Sequence, residues 1–222
     1  METLRKAHND VKRSLIQSTV TPGMRVLDVG CGFGGDLQKW RHVGVHVTMC
    51  DPARDSVEEA RRRAKTMGMN VHIFVGDIRQ CPHNEYDAIC YNFSLHYIFQ
   101  NKDTFMESID NIKKRLKVGG TLFGCIPDSD KLLLRTPFKD TMGNTFDLDK
   151  RSGWGNYGER VWVYLSNTPF YRRGARHEPL AYRDLLITYL DDAGIELREW
   201  SPLDSPHEIS KFYSTFKFVR IR

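Results

Sequence analysis

A short apolar run that ends in a dense cluster of glycines constrains this chain more than any other feature. MRVLDVG (Met24 to Gly30) reads as a buried strand, Gly30, Gly32, Gly34 and Gly35 as a tight turn, and the segment from Asp36 to about His42 as a helix. Glycines at this density let backbone amides approach a ligand closely and donate to it. The unit then recurs. VHVTMC (Val45 to Cys50) precedes a helical stretch from Asp55 to Met67, and VHIFVGD (Val71 to Asp77) and DAICYN (Asp87 to Asn92) follow. Phe105, Ile109, Ile112 and Leu116 then form one apolar stripe on a helix from Asp103 to Leu116. Parallel strands need crossover connections, so this alternation predicts an α/β fold with a doubly wound, mainly parallel sheet and helices on both faces. Such sheets bind ligands at the carboxyl ends of their strands.

GGTLFGCIP (Gly119 to Pro127) supplies a further buried strand. Residues 137–160, rich in glycine and asparagine and weakly periodic, read as a long connection inside a single domain spanning residues 1–222. VWVYL (Val161 to Leu165) reads as a strand, Tyr182 to Ala193 as a helix, and IELREW (Ile195 to Trp200) and FYSTFKFVRI (Phe212 to Ile221) as the last strands. With 40% hydrophobic and 27% charged residues, disordered and collagen-like classes are excluded. A net charge of +5 suits a polyanionic ligand without requiring one. The five cysteines show no CxxC spacing, so free thiols are expected rather than a zinc site or a disulfide framework. No stretch approaches the roughly 20 apolar residues of a membrane span, and an intracellular protein without a membrane partner is expected.

Gly30-Cys31-Gly32-Phe33-Gly34-Gly35 satisfies GxGxxG, and Asp51 follows at about the distance of a ribose-binding carboxylate, so a dinucleotide enzyme would look similar at this loop. Three acidic residues tip the balance: Asp28 before the glycines, Asp51 at the end of the second strand and Asp77 at the end of the third. A pyrophosphate would meet that acidic edge unfavourably. A sulfonium and an adenosine suit it, with diol hydroxyls for Asp51, an exocyclic amine for Asp77 and the cationic methionine end near Asp28. The pattern resembles the class I S-adenosylmethionine-dependent methyltransferases, which implies a Rossmann-like seven-stranded sheet.

LDVGCGFGGDLQKW (Leu27 to Trp40) is similar more specifically to the mRNA cap guanine-N7 methyltransferases. HNDVKRSLI (His8 to Ile16), NFSLHYIF (Asn92 to Phe99), CIPDSDKLL (Cys125 to Leu133) and YSTFKF (Tyr213 to Phe218) match that family in order. The resemblance implies that an N-terminal helix within residues 1–20 contributes Lys12 to the methionine carboxylate. Asp28, Gly30, Gly32, Gly34, Asp51, Asp77, Asn92 and Tyr97 would surround the rest of S-adenosylmethionine and its product S-adenosylhomocysteine, with no metal. It assigns His8, His96, Tyr97, Pro127, Glu178 and Tyr213 to the cap guanine and Arg63 to the phosphates. Phe33 stands where the family usually has Lys, His8 where it has Asn, and Asn92 where it commonly has Gln.

Guanine N7 attacks with a lone pair that carries no proton, so positioning rather than a general base carries such a transfer. The resemblance implies the capped 5′ end of mRNA (GpppN) as substrate. An RNA triphosphatase, guanylyltransferase or regulatory subunit on another chain is the implied partner, in the nucleus for a cellular enzyme and the cytoplasm for a viral one. Two rival readings are a small-molecule methyltransferase with the same cofactor domain and a non-catalytic cofactor-binding subunit of a capping complex.

Overall fold

The computed structural model describes residues 3–83, 85–149, 156–166 and 168–222. The strand–turn–helix alternation appears as β1 (Arg25–Val29), α2 (Leu37–Val43), β2 (His46–Asp51), α3 (Arg54–Thr66), β3 (His72–Val75), β4 (Tyr86–Asn92), α4 (Lys102–Arg115) and β5 (Leu116–Pro127), preceded by α1 (Leu4–Thr19). After α5 (Ser129–Arg135), α6 (Arg183–Asp192) leads into β10 (Ile195–Pro202) and β11 (Tyr213–Arg220). The seven strands lie in the order β3-β2-β1-β4-β5-β11-β10. All pairs from β3 to β5 are parallel, and β11 runs antiparallel to both neighbours. The strand order therefore reverses between β1 and β4, where the glycine turn after β1 opens a crevice.

Burial follows from the apolar stripes. Leu15 and Ile16 of α1, Leu37 and Trp40 of α2, and Val57, Ala60 and Ala64 of α3 pack with Val26 and Met49 of the sheet. Phe105, Ile109 and Ile112 of α4 and Leu186 and Leu190 of α6 pack with Leu27 and Val29 from the other side. Both faces of a mainly parallel sheet are thus covered, as its near-continuous apolar strands require.

The long connection is corrected by the structure. Within 137–160 lie β6 (Phe138–Lys139) and β7 (Thr145–Leu148), which join β8 (Arg160–Tyr164) and β9 (Arg176–Pro179) in a second, antiparallel four-stranded sheet. Residues 150–155 of that stretch lie outside the described residues. Strands of two and four residues are too short to show a period of two. Their turn is organised instead by one side chain: Asp140 accepts from the amides of Met142 and Asn144, both at 2.9 Å, and from Asn144 Nδ2 at 2.7 Å. Phe146 of β7 is fully buried and packs its ring at a tilt against Phe212 and Tyr213, which docks the small sheet beside the end of β5. Among the described residues no helix is long and apolar enough to cross a membrane.

Candidate functional site

The glycine turn is held open by its own geometry. Gly30 has φ +76°, and a Cβ there would lie 2.3 Å from Ser94 Cβ, so both conformation and space demand glycine. Asp51, at the end of β2, accepts from Gly32 N at 2.8 Å through one oxygen and from Ala53 N at 2.9 Å through the other. Each oxygen keeps a second lone pair for a ligand hydroxyl. Gly34 leaves room for Leu37 and for Ala60 of α3. Asp77 follows β3 and caps a short 3-10 turn, with its carboxylate gripped by Arg79, which also bonds Glu107 at 2.7 Å. The Arg79 bonds outweigh the cost of burial and hold that carboxyl below its usual range.

Beneath the turn lies a buried charge cluster that sequence reasoning identified only in part. Asp28 is buried and accepts from Trp40 Nε1 at 2.9 Å. Burial, reinforced by nearby Asp36, pushes its carboxyl up to about 7. Lys12 from α1 pairs with Asp36 Oδ1 at 2.8 Å, and Lys39 from α2 reaches the same oxygen at 2.6 Å. Asn92 at the end of β4 donates to Asp36 Oδ2 at 3.0 Å, while its own Oδ1 is buried without a hydrogen-bond partner. Burial alone would raise the Asp36 carboxyl, but the two ammonium groups hold it at about 2. Lys12, itself opposed by burial, is kept protonated chiefly by Asp36. Asp36 and Lys39 were legible as helix residues but not as partners of Lys12.

The second half of the site gathers around Glu178 on β9. Only 7% of Glu178 is exposed; Tyr171 donates its hydroxyl to Oε1, and His96 Nε2 lies 3.2 Å from Oε2. That histidine contact is too poorly aligned for a hydrogen bond, so both ring nitrogens of buried His96 lack a hydrogen-bond partner among the described residues. Burial would raise the Glu178 carboxyl, but His96, Tyr171 and Tyr97 stabilise its charge and bring it below its usual range. Tyr97 packs its ring against His96 at 4.2 Å and keeps 45% of its surface exposed. Tyr213 opens β11 opposite Pro127, is 3% exposed, and has its hydroxyl pushed up by burial and then by the Glu178 charge.

His8 from α1 closes this half. It stacks on Phe93 at 5.2 Å, meets Tyr213 edge-on at 5.6 Å and hydrogen-bonds Ser210 Oγ at 2.8 Å. Burial lowers its pKa to about 4, with Lys12 and His207 adding. Phe93 itself sits at φ +60°, a strained conformation for a phenylalanine and one that accumulates at functional sites. Nothing in NFSLHYIF signals that strain. Tyr171, absent from the sequence expectations, enters through the β8–β9 connection. Arg63 is not drawn into the cluster: it bonds Glu59 at 2.6 Å within its own helix, and its side chain is 38% exposed. Among the described residues no group of three or more His, Cys, Asp or Glu is disposed to hold a metal ion.

This sheet order with a glycine turn at the β1–β4 crevice is the fold of class I S-adenosylmethionine-dependent methyltransferases. Such an enzyme from Clostridium acetobutylicum ATCC 824 superposes with a TM-score of 0.65 at 16% identity, covering 98% of this chain and 92% of that one. A protein of Pyrococcus horikoshii OT3 superposes with a TM-score of 0.73 at 15% identity, covering 99% and 92%.

Residues 1–156 match the mRNA (guanine-N(7))-methyltransferase domain, and the chain belongs to that family. The mRNA cap guanine-N(7) methyltransferase of Candida glabrata is 29% identical over 205 residues, 86% of this chain and 47% of that protein. Its Saccharomyces cerevisiae counterpart is 29% identical over 206 residues, 86% of this chain and 45% of that protein. The chain spans about half the length of these curated relatives. The family-model match ends before Glu178 and Tyr213.

Proposed function

We propose that this chain transfers a methyl group to N7 of the cap guanine of GpppN-ended RNA, and that Glu178 reads the base. The observation that carries this reading is a buried, ionised carboxylate flanked by flat rings and by an unpartnered histidine. A carboxylate accepts from guanine N1–H and N2–H together, whereas adenine presents a lone pair at N1 and is repelled. Its charge also favours the positive charge that the base gains on methylation. Tyr171 holds Glu178 in place through its hydroxyl, and Tyr97, Tyr213 and His8 supply the walls that orient the ring.

The residues present fit S-adenosylmethionine. Gly30 and Gly32 leave backbone exposed where side chains would intrude, Asp51 retains lone pairs for a diol, and the buried Asn92 Oδ1 has an acceptor to spare. Lys12, Lys39 and Asp36 form a zwitterion-like patch suited to the α-amino and carboxylate groups of the methionine end. When bound, the cofactor supplies an electrophilic methyl on a sulfonium. The protein's part is to align the guanine lone pair with that methyl and to exclude water.

The substrate follows from the action of an RNA triphosphatase and a guanylyltransferase, which we assign to partners of this chain. That places the activity in the nucleus for a cellular protein and in the cytoplasm for a viral one. Incubation with labelled S-adenosylmethionine and GpppG, followed by nucleotide analysis, is expected to put label at guanine N7. Label only on small metabolites would favour a small-molecule enzyme, and cofactor binding without transfer would favour a non-catalytic subunit. Glu178→Gln keeps size and one acceptor but loses the charge. It is expected to lower kcat/KM for GpppG roughly 30- to 150-fold while cofactor binding persists. Activity near that of the unaltered protein would remove Glu178 from the pocket.

A further inference from the structure

Two phenylalanines lie at the mouth of this site without a role in the reading above. Phe33 of the glycine turn and Phe170 of the β8–β9 connection stack with ring centroids 5.2 Å apart and planes 22° from parallel. Phe170 also lies on the backbone of the turn, since a Cβ on Gly32 would meet its Cζ at 3.1 Å. Despite these contacts 46% of Phe170 is exposed, a large apolar face left open beside a polar site. Its chain neighbour Tyr171 turns the other way and bonds Glu178. One dipeptide therefore sends a ring to each half of the site, their backbones separated by a single peptide step of about 3.8 Å.

The residues that follow are cationic. Arg172, Arg173 and Arg176 are exposed, and their side chains make no hydrogen bond or ion pair among the described residues. An open aromatic face next to unpaired guanidinium groups is the recipe by which proteins hold single-stranded nucleic acid: rings take the bases and cations follow the backbone. The ring at position 33 cannot neutralise a phosphate, but it stiffens Phe170 from behind and leaves the outer π-face presented.

We propose that Phe170, backed by Phe33, is the stacking platform for the first transcribed base, the one joined to the cap guanine through the triphosphate bridge. This inference rests on the cap-guanine reading of Glu178. It adds a second base subsite, one that is indifferent to base identity because every base has a π-face.

The test compares two ligands that share guanosine and a triphosphate but differ in the second base. Calorimetric titrations of GTP and of GpppA into the protein saturated with S-adenosylhomocysteine give the ratio of their affinities. Phe170→Ala is expected to weaken GpppA by about 5- to 150-fold and to bring its affinity toward that of GTP. Phe170→Trp is expected to restore the ratio. An unchanged GpppA-to-GTP ratio in Phe170→Ala overturns the platform, and so does an equal loss for both ligands, which would assign the ring to the guanine pocket or to the fold. Glu178→Gln separates the two readings. If it weakens both ligands while Phe170→Ala leaves the ratio alone, only the platform fails. If it weakens neither, or if the unaltered protein binds neither ligand, the cap reading fails and the platform with it.

Discussion

His8→Asn tests how the N-terminal helix is coupled to the site, because it replaces a buried titratable ring with the residue usual in the family. In the folded protein the His8 pKa falls from 6.5 to about 4, burial being the main cause. The unfolded chain therefore binds a proton between about pH 4 and 6.5 that the native state refuses, and stability rises with pH across that window. The contribution is full above the unfolded value and is lost as pH falls toward the folded one. For this single group the loss between pH 7.5 and pH 5 is about 2 kcal/mol. In a chain of this size that corresponds to a fall in melting temperature on the order of 4–8 °C. Asp28 works in the opposite direction, since its carboxyl is raised to about 7 in the folded protein. The informative quantity is therefore the difference between His8→Asn and the unaltered protein, not either curve alone. Thermal unfolding followed by circular dichroism from pH 5 to 7.5 is expected to show a lower baseline for His8→Asn, because the stack on Phe93 is lost, but a flatter response to acid. Parallel curves would refute the linkage.

Asp51→Ala removes the carboxylate that both pins Gly32 and offers lone pairs to a ligand, so S-adenosylhomocysteine affinity measured by calorimetry should fall by at least about 1.5 kcal/mol; an unchanged affinity takes Asp51 out of the site. Asp36→Asn strips two buried ammonium groups of their partner and should destabilise the fold by about 3–5 kcal/mol, with a melting temperature near that of the unaltered protein as the contrary result. Arg63→Ala tests the phosphate contact that the family resemblance implies for a residue the fold pairs with Glu59: if that contact forms, KM for GpppG should rise more than KM for S-adenosylmethionine, and added salt should weaken cap binding in the unaltered protein. Equal changes in both KM values would deny Arg63 a phosphate contact.

The parts legible in the sequence are those whose physics is local. The apolar run before Gly30, the Phe105–Ile109–Ile112 stripe and the acids closing β1, β2 and the β3 turn announce themselves within a few residues, and the mainly parallel sheet follows from them. The second sheet does not, because its strands are too short for periodicity and its turn depends on the Asp140 side chain. At the site, Glu178 stands out only through the family resemblance and not through any pattern of its own segment. What makes it a receptor for a base, the Tyr171 hydroxyl and the His96 ring, comes from two other parts of the fold. Asp36 similarly gathers groups from α1, α2 and β4 that no spacing rule connects. Phe93 combines a left-handed backbone with a ring stacked on His8 from α1, a pairing that no local sequence signal announces.

The hydrogen bond from His8 to Ser210 joins residues 202 positions apart, and Tyr213 completes the same wall. Ribosomal synthesis makes α1 long before Ser210 and Tyr213, the partners that His8 meets from the far end of the fold. The nascent chain can assemble β1 to β5 early, each strand beside one already made, while α1 finds Asp36 quickly and waits for the rest. The wall formed by His8, Phe93 and Tyr213 is complete only after β11 has inserted between β5 and β10. Under the proposed reading, recognition of the cap guanine would wait on β11, and a ribosome stalled before residue 213 would carry a sheet with one edge of β5 still open.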